Sequence, residues 1–260
     1  MSTARTPGKL LLFGEYTVLL GSTALALPLP HLFGEWATGS APPSHDLLPF
    51  AAHLHFLDQE GRLLAPLDTQ RFLQEVKSGL YFHSNIPVGY GAGSSGALCA
   101  AVYERYANPA IAKDNTTALS TLQQQLAQLE SYFHGESSGA DPLICYLQHP
   151  LLIEQNTIRP VSVAQSSGDS GLFFLIDTGI SRRTGPLVQQ FKAKCGSDHF
   201  REQALRQLAL PPMPIWNKIQ PSSNAPCFKS RQPSSTCSGT LFQSSSVQFG
   251  KRGCNPISFT

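Results

Sequence analysis

The last fifty residues of this 260-residue chain contain no aspartate and no glutamate. All 17 acidic residues lie before residue 211, where 14 basic ones leave a net charge of −3. Residues 211–260 add only Lys218, Lys229, Arg231, Lys251 and Arg252. The whole chain comes to +2, too little to draw it to nucleic acid or to a membrane surface. No apolar run approaches the ~18–20 residues that a membrane span needs. Leu10-Leu11-Leu12-Phe13 is broken by Gly14-Glu15, too soon for the core of a secretory signal, and no cleavage signature follows. Paired cysteines are missing as well. The six stand at 99, 145, 195, 227, 237 and 254, with no C-x-x-C, which fits a reduced cytoplasmic protein better than a disulfide framework. What remains is 41% hydrophobic, enough for one large domain or two modest ones with a real core.

The most informative stretch runs Ile86-Pro87-Val88-Gly89-Tyr90-Gly91-Ala92-Gly93-Ser94-Ser95-Gly96-Ala97. Glycines on alternate positions let the backbone take positive φ and approach a ligand closely. Successive N–H groups of such a loop can converge into an anion nest. Ala97, Leu98, Ala101 and Val102 then repeat as one face of a helix over 95–107. A helix N-terminus suits phosphate, and the hydroxyls of Ser94 and Ser95 add donors. The loop is not a Walker loop, because no Gly-Lys-Ser/Thr follows. Glycines at 89, 91, 93 and 96 are also wrongly spaced for the dinucleotide fingerprint. A flexible turn is the plain alternative.

Before this loop, residues 8–13 read as a buried strand, Tyr16–Leu20 as its continuation, and Thr23–Leu29 as the next strand. Ala41-Pro42-Pro43-Ser44 is a loop. His53-Leu54-His55-Phe56-Leu57 alternates like a strand, with Asp58-Gln59-Glu60-Gly61 as a hairpin turn. Two histidines on one strand face invite a metal, although no third ligand is evident. Asp68 or Thr69 caps a helix burying Phe72, Leu73, Val76 and Leu80. The clearest helix starts at Asn115 or Thr116, with Leu119, Leu122, Leu126, Leu129 and Phe133 as a narrow stripe. Glu130 lies beside that stripe near the helix C-terminus, where the dipole disfavours an acid. It is either a solvated surface residue or one placed for a metal. In His134-Gly135-Glu136-Ser137-Ser138-Gly139-Ala140-Asp141-Pro142, the G-x-S-x-G spacing suggests a serine hydrolase using Ser137. A nucleophile elbow needs a strand before it and a helix after it, whereas here a helix precedes and Asp-Pro follows. The alternative is a tight loop delivering Asp141 into a cleft. Leu151–Ile153 and Leu172–Ile176 are strand candidates. Residues 185–194 and 198–210 read as helices.

Several of these stretches resemble, in order, the small-molecule kinases for galactose, homoserine, mevalonate and phosphomevalonate, the GHMP kinases. Pro7-Gly8-Lys9-Leu10-Leu11-Leu12-Phe13-Gly14-Glu15-Tyr16 resembles their first motif. Pro87 to Ala97 resembles their phosphate loop, P-x-G-x-G-L-G-S-S-A. Glu130 through His134-Gly135 and Ser138-Gly139-Ala140-Asp141 resembles the stretch ending in the catalytic aspartate of mevalonate kinases. Asp177-Thr178-Gly179 through Arg183-Thr184 is similar to the opening of the family's second domain. The resemblance covers roughly residues 7–195.

The resemblance implies ATP and Mg²⁺ as cofactors and a small alcohol, mevalonate first, as substrate. Gly89, Gly91, Gly93, Ser94 and Ser95 would hold the phosphates, and Ser95 and Glu130 the Mg²⁺. Asp141 would be the general base, and Lys9 would orient it and neutralise charge on the transferring phosphoryl. Glu15, Tyr16 and Thr184 would lie on the substrate side. Homoserine and phosphomevalonate kinases generally lack the aspartate, which favours mevalonate. Two positions depart from the pattern: Tyr16 stands where many mevalonate kinases have His, and Gly96 replaces an alanine.

The fold so implied is α+β. A two-layer N-terminal ATP-binding domain spans 1–165, and 166–210 begins a partial ferredoxin-like C-terminal domain. Residues 211–260 hold ten serines, seven prolines and three cysteines without sustained period, and are expected to be a disordered tail. Nothing there matches the family's third glycine-rich motif. The chain reads as truncated, by a reading-frame shift near Leu210, or else as carrying a divergent extension. A nucleotide-binding remnant without turnover is therefore the rival function. No nucleic-acid or membrane partner is expected, and a homodimer is left open.

Overall fold

The computed structural model describes residues 4–39, 46–154, 157–163, 184–208 and 219–221. Its centre is β2 (Ala24–Thr38), a 15-residue strand paired along both edges. β1 (Thr6–Phe13) runs antiparallel along one edge, from Thr6 opposite Gly34 to Phe13 opposite Leu25. Gly34 also pairs with Ser84 of β3 (Leu80–Ser84), and Leu25 with Leu152 of β4 (Leu151–Glu154). β3 and β4 therefore lie end to end along the opposite edge of β2. β5 (Thr157–Val163) extends the sheet beyond β4, and β6 (Ile219–Pro221) pairs with β5.

Helices cover one face of this antiparallel sheet. They are α1 (Leu47–Gln59), α2 (Thr69–Lys77), α3 (Ser94–Tyr106), α4 (Leu119–His134) and α5 (Ala140–Leu147). α3 and α5 pack against each other and both reach β1 and β2. The side-chain period of two splits β2 between layers. Ala26 joins the main core with Leu98, Val102, Leu126 and Leu143, while Leu25 and Leu27 join Leu152 and Val161 in a smaller cluster. Fully buried Leu122, Leu126 and Leu129 carry the expected stripe of α4. The fold class is α+β in two layers, as the sequence implies.

Several elements differ from the sequence reading. Residues 53–57 are helix, because the buried set Leu47, Phe50, Ala51, Leu54 and Leu57 follows a helical spacing that a five-residue alternation hides. Asp58–Gly61 is accordingly the end of α1 and not a hairpin turn. Tyr16–Leu20 does not continue β1. The chain turns at Gly14 (φ 85°) and Tyr16 (φ 64°) into a short 3₁₀ turn, Thr17–Leu20. Leu80 belongs to β3, since α2 ends at Lys77. Asp68 does cap α2, accepting from Arg71 N at 3.0 Å, and Asn115 caps the turn leading into α4. β5 and α5 had no counterpart in the sequence reading.

Helices α6 (Thr184–Lys194) and α7 (Asp198–Leu208) form where helical pattern was read, and α7 packs against the 3₁₀ turn. The strand candidate at 172–176, Asp177-Thr178-Gly179, Arg183 and the loop at 41–44 lie outside the described residues. So does the tail except for β6.

Candidate active site

Lys9 is the buried cation of the site, 8% exposed in the middle of β1. Its backbone N–H donates to Ala92 O at 2.9 Å, which fastens the glycine loop to the sheet. Its ammonium reaches Asp141 Oδ2 at 2.8 Å, across 132 residues of sequence. Gly93 makes that path possible. A Cβ there would stand 2.7 Å from Lys9 Cγ, and its φ of 81° is one that other residues rarely adopt. Burial alone would pull the Lys9 ammonium down. The charge of Asp141 and the hydrogen bond to it more than offset this and hold the pKa above the ordinary lysine value. Lys9 is thus a fixed positive charge, and its partner is half exposed, with 40% of the Asp141 side chain open to solvent.

Gly93 caps α3, so Ser94 and Ser95 form the first turn of that helix. Asp141 occupies the first turn of α5, capped by Gly139. The two N-termini meet: a Cβ on Gly96 would lie 3.0 Å from both Asp141 C and Pro142 N. The glycine loop and Asp141 therefore meet at the N-terminal ends of two helices, where the dipoles place partial positive charge. The expected tight loop bearing Asp141 is instead a helix start, with Pro142 in its first turn, where a missing N–H costs nothing.

Glu130 completes the cluster from α4. It is 5% exposed, so it is not the solvated surface residue that its position near the helix end allowed. Its Oε1 accepts from Ser95 Oγ at 3.2 Å and its Oε2 from Ser137 Oγ. Burial and the neighbouring Asp141 charge push its pKa up to about 7, against the pull of Ser137, Ser95 and Lys9. The unfavourable dipole of its own helix is met by the N-terminal turn of α3. His134 Nε2 also lies 2.9 Å from Ser95 Oγ. The sequence reading had no role for His134 and considered Ser137 only as a nucleophile. Ser137 follows a helix, donates to Glu130 and accepts from Gly139 N at 2.9 Å, which is not a nucleophile elbow.

Residues 52–149 match the family model for the GHMP kinases N terminal domain. That stretch, from the middle of α1 to the end of α5, is what resembles the family. In solved structures it is similar to the Methanococcus jannaschii mevalonate kinase, at 20% identity and TM-score 0.47, over 77% of this chain and 69% of that one. It is also similar to the L. major mevalonate kinase in complex with R-mevalonate, at 18% identity and TM-score 0.49, over 80% and 66% of the two chains. The Streptococcus pneumoniae phosphomevalonate kinase is similar at 19% identity and TM-score 0.47, over 80% and 73%. No curated protein matches the sequence.

The structure gathers Lys9, Gly93, Ser94, Ser95, Glu130 and Asp141 in one place. Gly89 and Gly91 lie upstream in the same loop with φ of 82° and 71°, and a Cβ on Gly91 would meet open space. Glu15 is near enough for its charge to act on Lys9. Tyr16 turns its ring onto Phe191 of α6, with centroids 5.4 Å apart. Thr184 is the first residue of α6, and its side chain lies outside the described ones. His53 and His55 do not form the metal pair that a strand would give. On α1 they diverge, His53 stacking on Tyr132 and His55 Nδ1 meeting Thr69 Oγ1 at 3.1 Å. Among the described residues no three His, Cys, Asp or Glu side chains converge on a metal-binding position. The oxygen pair of Ser95 and buried Glu130 fits a hard cation that takes its remaining ligands from phosphate and water. No helix among the described residues is long and apolar enough to cross a membrane.

Proposed function

We propose that this chain phosphorylates the hydroxyl of a small alcohol at the expense of ATP, with mevalonate as the first substrate to test. The Lys9–Asp141 ion pair at the joined N-termini of α3 and α5 carries this reading. Phosphoryl transfer asks the protein for positioning and charge stabilisation more than for covalent chemistry. The N–H groups of the Gly89–Ser95 loop cradle the phosphates. The oxygens of Ser95 and Glu130 would hold Mg²⁺, which would supply neutralisation of phosphate charge. Asp141 accepts the proton of the acceptor hydroxyl as the new P–O bond forms and the β–γ bridge bond breaks, releasing ADP. Lys9 orients the Asp141 carboxylate through their 2.8 Å ion pair and faces the charge that develops on the phosphoryl oxygens. Mevalonate is favoured because the stretch from His134 to Asp141 resembles that of mevalonate kinases.

The test is product formation from Mg-ATP and mevalonate, with Asp141→Asn beside the wild-type chain. Asp141→Asn keeps the shape but removes the base. Its turnover is expected to fall by about 10²–10⁴-fold while ATP binding by calorimetry stays near wild type. Unchanged turnover would show that another group takes the proton. A second reading is nucleotide binding without transfer, which the same assay separates. ATP binding without product identifies it.

A further inference from the structure

Tyr16 is one of two non-glycine residues with positive φ among the described residues. Its φ of 64° with ψ of −44° lies outside the left-handed well, where ψ is positive. Backbone strain of this kind persists only where the surroundings over-determine it. Here the surroundings are aromatic. The Tyr16 ring lies against Phe191 at 5.4 Å and 31°, and Phe191 meets Phe200 of α7 edge-on at 6.1 Å. Phe191 is 9% exposed, and α7 packs on the 3₁₀ turn that follows Tyr16. Three rings thus fasten α6 and α7 to the turn that presents Glu15. Glu15 acts on Lys9 from one side, and Thr184 opens α6 two helical turns before Phe191.

We propose that Tyr16 is a positioning residue, whose ring pins α6 and α7 to the Glu15 turn and thereby sets affinity for the acceptor alcohol but not for the nucleotide. The acceptor part rests on the kinase reading above. The pin itself rests on the ring contacts alone.

Three variants test it: Tyr16→Ala, Tyr16→Phe and Phe191→Ala. KM for mevalonate is expected to rise about ten-fold in both alanine variants, with kcat and KM for ATP within about three-fold of wild type. Tyr16→Phe keeps the ring and is expected to keep the wild-type KM. A general loss of structure would weaken both substrates together. An unchanged mevalonate KM in Tyr16→Ala overturns the proposal. So does a Tyr16→Phe variant as poor as Tyr16→Ala, since the hydroxyl would then be what matters. Hydrogen exchange separates the pin from the kinase reading. Amides of 184–194 and 198–208 are expected to lose protection in Tyr16→Ala and not in Tyr16→Phe, with or without turnover. Unchanged exchange there in a folded Tyr16→Ala overturns the pin. A wild-type chain that transfers no phosphoryl group overturns the kinase reading and the acceptor role with it. Should Tyr16→Ala not fold, Phe191→Leu keeps the apolar fill, loses the ring contact and carries the same test.

Discussion

Glu130 is a carboxylate whose charge its surroundings support poorly. Burial and Asp141 hold its pKa near 7, against an ordinary value of 4.5. Between those two values the native chain keeps a proton that the unfolded chain has released. Stability is therefore expected to fall as pH rises from about 4.5 to about 7, and to level off above that. The integrated effect is about 3 kcal/mol. Glu130→Gln cannot ionise, so the difference in unfolding free energy between it and wild type should trace this slope in urea titrations across that window. A Mg-nucleotide complex should flatten the wild-type profile, because a cation beside the carboxylate favours its charged form. Parallel profiles for wild type and Glu130→Gln would show that the titration belongs elsewhere. Lys9 behaves in the opposite sense. Its pKa is raised, so its contribution is complete below the unfolded value and is lost only in strong alkali, outside this window.

At the scale of elements, the site depends on how closely α3 and α5 approach. Gly96 sets that distance, because a Cβ there would press on the backbone of Asp141 and Pro142 at 3.0 Å. Backbone at a helix start yields less readily than the end of a flexible side chain. Gly96→Ala is expected to cost about 1–3 kcal/mol of stability and to move Asp141 away from Lys9. Turnover should then fall about ten-fold or more, since misplacement of a reacting group by an ångström is that expensive. Wild-type kcat and stability in Gly96→Ala would mean that α5 can shift freely. The same elements show what the sequence could convey. α4 was legible because Leu119, Leu122, Leu126, Leu129 and Phe133 recur at 3, 4, 3 and 4 over about four turns. The glycine loop and α3 were legible because glycine, serine and a small-residue helix follow one another without interruption. α1 was misread because alternation over five residues mimics a strand when the longer window is not weighed. β5 was missed because Pro160 interrupts its pattern, and α5 because Asp141-Pro142 looks like a turn. Lys9 and Asp141 were paired only through the family resemblance. No local pattern links residues so distant in sequence, and their contact exists only once β1 and α5 are side by side. Ser137 and His134 were invisible as partners of Glu130 and Ser95 for the same reason, although His134 falls one helical turn after Glu130 and so faces the same way.

For the molecule as a whole, nucleotide binding should appear as a change in global unfolding. A ligand that binds only the native chain stabilises it by RT ln(1 + [L]/Kd), about 2.7 kcal/mol at a hundred times Kd. ATP in the presence of a chelator can use the loop N–H groups and Lys9 but leaves the oxygens of Ser95 and Glu130 without a cation between them and the phosphates. A negative phosphate beside a buried carboxylate is then repelled, or the carboxylate takes up a proton. Tm is therefore expected to rise more with Mg-ATP than with ATP alone. Glu130→Gln should retain the rise with ATP alone and lose the added increment. Equal shifts with and without Mg²⁺ in the wild-type chain would remove Ser95 and Glu130 as cation ligands. No shift in either condition at saturating nucleotide would remove the loop as a phosphate site, whatever the resemblance implies. A full Mg-dependent shift without transfer to mevalonate would leave the nucleotide half of the proposal standing and remove mevalonate as the acceptor.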